Sequence, residues 1–429
     1  MAAPTELGPS PLAQGDSQIS VADARARIAA SLSPIHGVER LPLAQALGRV
    51  LAEDVISPID VPAHDNSAMD GFAFRGAELP QEGDSRFRVA GAVMAGDAAP
   101  PAVAPGECLR IMTGAVMPPG LDTVVPLELC REDGGVLSVP AGTVRPGENR
   151  RRQGEDLARG KPALSRGRVL RPADLGLAAS LGLTELPVVP KLKVALFSTG
   201  NELRDAGQPL EAGCIYDSNR HSLAAALRRL GVVEVIDLGL VRDEPAALQA
   251  TLERALREAD VVLTSGGVSM GDADYTRDLL TRHGEVAFWK VAMRPGRPFA
   301  FGPLRRPTGE GPAWLFALPG NPVAALVTFY AFAQEALWQL AGASRAPAPR
   351  LQARSATAIR KRPGRTEFQR AIVEPAADGS GWQVRPTGSQ GAGILRSMSE
   401  ANALLVLGHE QGSVAAGEMV EVWLFDGMV

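Results

Sequence analysis

A chain of 429 residues exceeds what one hydrophobic core normally holds, so roughly two to four domains are expected. With 45% hydrophobic residues it has enough apolar material for folded cores, while a net charge of −4 excludes a nucleic-acid partner, which demands a basic field. No apolar run approaches the roughly 18 residues of a membrane span, and the N-terminus lacks the basic-then-apolar order of a secretory signal, so a cytoplasmic protein without a membrane partner is expected.

Three scattered cysteines, Cys108, Cys130 and Cys214, form neither a disulfide framework nor a metal-spaced pair and suit a reducing compartment. The 46 glycines and 34 prolines point to many turns, and so to β structure outside any α/β part.

Residues 1–18 form a tail rich in Pro, Gly and Ala with nothing to bury, expected to be disordered. Ser20 then caps a helix whose Val21, Ala24, Ile28 and Leu32 share one face, with Asp23 where the helix dipole favours an acid. Pro58 to Phe74 reads as a loop entering a strand at Gly71. Its Asp65, Asn66, Ser67 and Asp70 exceed the polar density one turn requires. From Ser85 to Gly154 short apolar runs alternate with turn signals, as in a small β domain. It closes on Arg150, Arg151 and Arg152, followed at once by Glu155 and Asp156. Such a run is usually a solvated face, although guanidinium groups beside a glycine turn also suit a phosphate. Pro172 to Leu181 reads as helical. The β domain, 63–156, is therefore expected as an insertion in a helical linking domain made of 19–62 and 157–190.

Residues 191–342 alternate strand and helix at the spacing of a doubly wound, mostly parallel sheet. In such sheets ligands bind beyond the carboxyl ends of the strands. Ser198-Thr199-Gly200-Asn201-Glu202, Asp243, Thr264-Ser265-Gly266-Gly267 and Pro319-Gly320-Asn321-Pro322 all fall there and are expected to line one crevice. The third of these continues through Ser269, Gly271 and Asp274. It reads as a buried strand, a glycine and hydroxyl loop, and a helix capped by Asp274, an arrangement suited to an oxyanion. Acids beside an anion loop make sense if a divalent metal bridges carboxylate and phosphate. Lys290, Arg294 and Arg297 lie in a loop stiffened by Pro295, Gly296 and Pro298. A Pro-Ala linker, Ala343 to Arg350, leads to a C-terminal β domain, 350–429, where Arg370 ends a strand-like segment and Thr387 to Gly393 offers a second anion-competent loop. The fold class expected is α/β plus β, multidomain.

Seven motifs in this order, Asp65-Asn-Ser-Ala-Met-Asp-Gly, Arg151-Arg-Gln-Gly-Glu-Asp, Ser198-Thr-Gly-Asn-Glu-Leu, Ile215-Tyr-Asp-Ser-Asn-Arg, Thr264-Ser-Gly-Gly-Val-Ser-Met-Gly-Asp-Ala-Asp-Tyr, Lys290-Val-Ala-Met-Arg-Pro-Gly-Arg-Pro and Leu318-Pro-Gly-Asn-Pro, closely resemble the molybdopterin molybdenumtransferases, the MoeA-type molybdenum insertases, whose relatives include a domain of gephyrin. The resemblance implies a homodimer that takes molybdate and adenylated molybdopterin as substrates, inserts molybdenum and releases AMP with Mg²⁺. It implies activity residues Asp70, Asp156, Glu202, Asp274, Lys290 and Arg294, and metal ligands Asp243 and Asp274. The substrates would be bound by Ser198, Thr199, Gly200, Ser265, Gly266, Gly267, Ser269, Arg297, Pro319, Gly320, Asn321, Arg370 and Ser389. Molybdopterin adenylyltransferase and molybdoenzyme maturation proteins are its candidate protein partners. A non-catalytic molybdopterin-binding scaffold and an adenylyltransferase are the alternatives. The chain departs from the family pattern where Arg294 and Arg297 replace lysines, exchanging point charges for planar forks. It departs again at Ala392, where the family's Gln-Gly-Ser serine is lost and Ser389 is near enough to substitute.

Overall fold

A computed structural model describes residues 18–97, 102–267, 279–309 and 311–425. The expected tail before Gln18, and the glycine-loop residues Ser269, Gly271 and Asp274, lie outside the described residues. The chain divides into two compact units, one comprising Glu53–Arg166 and Pro172–Leu186, the other the rest. The residues expected to form a linking domain are therefore shared between the two.

The larger unit is built on a seven-stranded sheet. From edge to edge it runs Gln18–Ile19, Ala287–Val291, Pro298–Arg305, Pro312–Leu318, Val261–Ser265, Leu192–Thr199 and Val233–Val241. The last three strands and Pro312–Leu318 pair in parallel, while Pro298–Arg305 lies antiparallel to both of its neighbours. Both faces are covered, as the unbroken apolar runs require. Val261, Leu263, Phe316 and Leu318 point into one core and Val262, Leu315 and Ala317 into the other. The helix Val21–Ser31, capped by Ser20 accepting from the N–H of Asp23 at 3.0 Å, buries Val21, Ala24 and Ile28 in the first core. Its apolar face thus belongs to the α/β sheet, and Arg25 donates to the carbonyl of Ala331 at 2.8 Å. After Pro319 the chain runs helically from Pro322 to Leu340, with a π turn at Phe329–Ala333.

The C-terminal sheet of the same unit closes on itself, because Thr366–Pro375 pairs with both Trp382–Pro386 and Ala403–Leu407. Its remaining edge strand comes from the α/β region: Met293–Arg294 pairs in parallel with Thr366–Glu367. The stiff cation loop is therefore also a strand of the next domain, so the Pro-Ala linker marks no break in packing. No helix among the described residues is long and apolar enough to cross a membrane.

The smaller unit holds a six-stranded sheet in the order Thr123–Pro126, Gly71–Phe74, Glu107–Ile111, Ser85–Val93, Val136–Val139, Arg131–Asp133. Phe74 and Phe87 stack with ring centroids 4.6 Å apart in one of its two cores. Gly71 sits between two strands so closely that a Cβ there would lie 1.9 Å from the backbone oxygen of Val125. Gly71→Ala is expected to destabilise this unit by about 3 kcal/mol through overpacking. Amide hydrogen exchange resolves the effect, with protection falling in Gly71–Phe74 and Thr123–Pro126 and persisting in Val261–Ser265. Unchanged protection in the first two strands would contradict the packing described.

Candidate functional site

At the carboxyl ends of the parallel strands the larger unit opens a cleft of about 1040 Å³. Its walls include Thr199, Gly200, Glu202, Asp243, Ser265, Gly266, Gly267, Arg294, Arg297, Pro319, Gly320 and Asn321. The four strand-end loops singled out in the sequence therefore meet, together with the cation loop from a fifth strand connection.

Backbone proximity makes this possible. Gly266 adopts φ +94°, and a Cβ would come within 2.6 Å of the carbonyl oxygen of Thr199, so only glycine brings these two loops together. The hydroxyl of Thr199 donates to Asp243 Oδ1 at 2.7 Å, and the backbone N–H of Asp243 donates to Asn201 Oδ1 at 3.2 Å. The carboxylate of Asp243 is thereby aimed while its second oxygen stays without a protein donor among the described residues. Glu202 is exposed on the same wall. Opposite in charge, Arg294 and Arg297 are exposed, and no carboxylate lies within ion-pairing distance of either among the described residues.

Several residues that build the cleft were not singled out as site residues from the sequence. Asn219, almost fully buried at the start of the helix Asn219–Arg229, donates from Nδ2 to the hydroxyl of Ser265 at 2.7 Å and to the carbonyl of Gly320 at 2.6 Å. It staples two of the loops together. Asp217, also buried, accepts from the hydroxyl of Ser198 at 3.2 Å and from Arg220 Nε at 3.2 Å; Arg220 also reaches Asp205 and Asp237. The signal available in the sequence was the Asp217-Ser218-Asn219 run directly before a helix.

Other expected site residues sit differently. Ser198 is buried, donates to Asp217 and does not itself line the cleft. Lys290 lies in the strand Ala287–Val291, half-buried, and does not line the cleft. Arg370 is fully buried in the C-terminal sheet. It donates to the carbonyls of Gly391 at 2.9 Å, Ser389 at 3.3 Å and Gln390 at 3.3 Å, and to the hydroxyl of Ser397 at 3.0 Å. Burial, and then the charge of Arg294, lowers its pKa to about 10. Its guanidinium holds the glycine-rich loop in place from behind, and Ser389 contributes its carbonyl to that bond. Ala392 from this loop does line the cleft, and its carbonyl accepts from the N–H of Val323 at 3.0 Å.

In the smaller unit, the acidic loop and the arginine run that the sequence marked separately are zipped together. Asn66–Ser67 pairs antiparallel with Arg150–Arg151, and Arg150 lies 3.6 Å from Asp65. Arg151 meets Glu155 at 3.0 Å, and Asp156 is exposed. Asp70 Oδ1 accepts from both the hydroxyl of Thr113 at 2.7 Å and its N–H at 2.6 Å. Those bonds, the hydroxyl's first, hold the Asp70 carboxyl below its usual range.

A doubly covered α/β sheet with a charge-divided cleft at its strand ends, joined to a closed β domain and a separate small β unit, defines a multidomain α/β plus β protein built around a polar small-molecule cleft. Family models cover nearly all of it: the MoeA N-terminal region (domain I and II) matches residues 19–182, a probable molybdopterin binding domain 195–339, and the MoeA C-terminal region (domain IV) 352–425. Molybdopterin molybdenumtransferase of Haemophilus influenzae is 40% identical over 96% of this chain and 100% of its own length. Molybdopterin molybdenumtransferase 2 of Mycobacterium tuberculosis is also 40% identical, over 89% and 94%. The crystal structure of the molybdopterin biosynthesis MoeA protein from Pyrococcus horikoshii superposes with a TM-score of 0.81 at 29% identity, covering 95% of this chain and 100% of that one. The chain belongs to the MoeA family, the molybdopterin molybdenumtransferases.

Two outcomes test the site's construction. Thr113→Val is expected to raise the Asp70 pKa part of the way toward the ordinary carboxylate value, read by NMR titration; an unmoved midpoint would mean the hydroxyl is not the cause. Because the native carboxyl is depressed, its contribution to stability is present above the unfolded-state pKa and disappears as pH falls through the native one. Arg370→Met leaves three carbonyls without their donor and is expected to destabilise the Thr387–Gly393 loop by about 3 kcal/mol. Hydrogen exchange in that loop should accelerate, and unaltered exchange would show that the guanidinium does not hold it.

Proposed function

We propose that this chain inserts molybdenum from molybdate into adenylated molybdopterin, releasing AMP in a Mg²⁺-dependent step. The observation that carries the reading is one cleft lined by the aimed carboxylate of Asp243, the exposed Glu202 and two guanidiniums without carboxylate partners among the described residues, in a chain matched along its length by the MoeA family.

Both reactants are anions, one a dianionic oxide and the other carrying a pyrophosphate, and they repel each other in water. Arg294 and Arg297 lower that cost by offering two-pronged hydrogen bonds to oxyanions where the charges meet. The glycine backbone of Gly266 and Gly267 lets the phosphates approach the loop, and Ser265 is held by Asn219 in a fixed position beside them. Pro319 and Asn321 line the same cleft, on the loop packed beside Gly266.

Hard oxygen donors suit magnesium, and Asp243 presents one carboxylate oxygen fixed by Thr199 and another left free, so the residues present fit such an ion. Among the described residues no three His, Cys, Asp or Glu side chains gather as a metal set, so Asp243 would hold the ion together with phosphate oxygens and Asp274. When bound, the metal neutralises pyrophosphate charge and acts as a Lewis acid for its cleavage. Glu202 orients polar groups of the substrate at the same wall.

Asp70 and Asp156, which belong to the smaller unit, are activity residues on this reading, and the protein is a homodimer. The enzyme works in the cytoplasm, between the molybdopterin adenylyltransferase that supplies its substrate and the maturation proteins that take its product. Incubation with adenylated molybdopterin, molybdate and Mg²⁺ should yield AMP and molybdenum cofactor together; release of pyrophosphate from ATP instead would identify an adenylyltransferase. Asp243→Asn is expected to slow AMP release by about a hundredfold while leaving the thermal midpoint unchanged, and full activity in that variant would remove Asp243 from the reaction.

A further inference from the structure

Beyond the cleft, a second hollow of about 740 Å³ is formed by the segment Arg360-Lys361-Arg362-Pro363-Gly364-Arg365 and by Arg294. Among the described residues its only carboxylate is that of Glu367, which is buried and already bound to Arg365 at 2.8 Å and to Gln369 at 3.0 Å. Lys361 is fixed by three carbonyls, those of Gln411 at 2.6 Å, Arg362 at 3.3 Å and His409 at 3.4 Å, which anchor the segment without cancelling its charge. Arg360 and Arg362 are exposed, and no carboxylate lies within ion-pairing distance of either among the described residues. Among the described residues, other arginines of the same domain do find a carboxylate, as Arg350 does in Glu421, Arg385 in Glu374 and Arg396 in Glu400, whereas Arg360 and Arg362, on either side of Lys361, keep their charge uncancelled.

The hollow is continuous with the cleft through shared side chains. Arg294 lines both, and so does Arg365. An anion resting on Arg360 and Arg362 can thus pass to Arg294 without leaving a positive surface. At physiological ionic strength the field of such a cluster reaches about 8 Å, enough to concentrate a small dianion at its surface. A tetrahedral oxide is small and compact enough to sit on such a cluster.

We infer that the Arg360–Arg365 hollow is a loading site for tetrahedral dianions, through which molybdate reaches Arg294 in the cleft. The inference rests on the insertase reading for its cargo. The site recognises charge and tetrahedral shape, so sulfate competes for it.

Molybdate-dependent AMP release by the full-length protein tests this. In R360E/R362E the half-saturating molybdate concentration should rise about tenfold and lose most of its dependence on ionic strength, while the rate at saturating molybdate stays within about twofold of the unaltered protein. R360K/R362K should behave as the unaltered protein, because point charges suffice for attraction. A half-saturation unchanged in R360E/R362E, or a fall in the saturating rate alone, overturns the inference. If the reversed variant does not fold, as judged by circular dichroism, R360Q/R362Q replaces it with an expected rise of about threefold, and an unchanged value again overturns the loading site. Should the unaltered protein release no AMP, the insertase reading fails by itself. The hollow is then judged by calorimetric titration with inorganic molybdate alone, where binding lost in the glutamine variant supports it and equal binding in both proteins refutes it.

Discussion

Positive charge left without a counter-ion, beside carboxylates that are themselves aimed, is the constraint on which the larger unit is organised. Free guanidiniums and carboxylates would collapse into ion pairs if side chains alone decided the matter. They are kept apart because each is anchored separately: Asp243 by the Thr199 hydroxyl on its carboxylate and the Asn201 side-chain oxygen on its N–H, and the Arg294 backbone by the strand it forms with Thr366–Glu367. Burial, and after it the charge of Arg294, depresses Arg370 to about 10, although Arg370 does not line the cleft.

Rigid placement of this kind suits a reaction between two anions. A lysine offers a point charge, whereas the planar forks of Arg294 and Arg297, carried on a loop anchored by the Met293–Arg294 strand, can bind an oxyanion through two hydrogen bonds. The C-terminal domain is the means by which the cation loop is held. It supplies the partner strand, and its Arg370 secures the glycine-rich loop whose Ala392 carbonyl meets the first turn of the helix Pro322–Thr328. Domain packing and charge placement are thus one structural feature seen at two scales.

Much of this could be read in the sequence, for physical reasons that differ from element to element. The α/β region was legible because buried parallel strands leave unbroken apolar runs, and because such sheets confine ligands to strand ends; Thr199, Glu202, Asp243, Gly266 and Asn321 accordingly meet. The roles of Ser198 and Arg370 were not legible, since a hydroxyl or guanidinium at the right place in a motif can turn toward the protein as readily as toward the cleft. Asn219 escaped notice because its work is to join loops distant in sequence. The strand Met293–Arg294 escaped because two residues directly before Pro295 and Gly296 carry no strand signal of their own. In the smaller unit the acidic loop and the arginine run were both visible, but their pairing depends on a hairpin-like register that no local pattern encodes.

A crystal structure of the protein with adenylated molybdopterin and molybdate bound bears most directly on the central claim. The account predicts the pyrophosphate over Gly266 and Gly267, with Asp243 on its metal-facing side and the guanidiniums of Arg294 and Arg297 on the oxyanions. Phosphates seated away from both arginines, with the two guanidiniums still solvent-exposed in the complex, would contradict it.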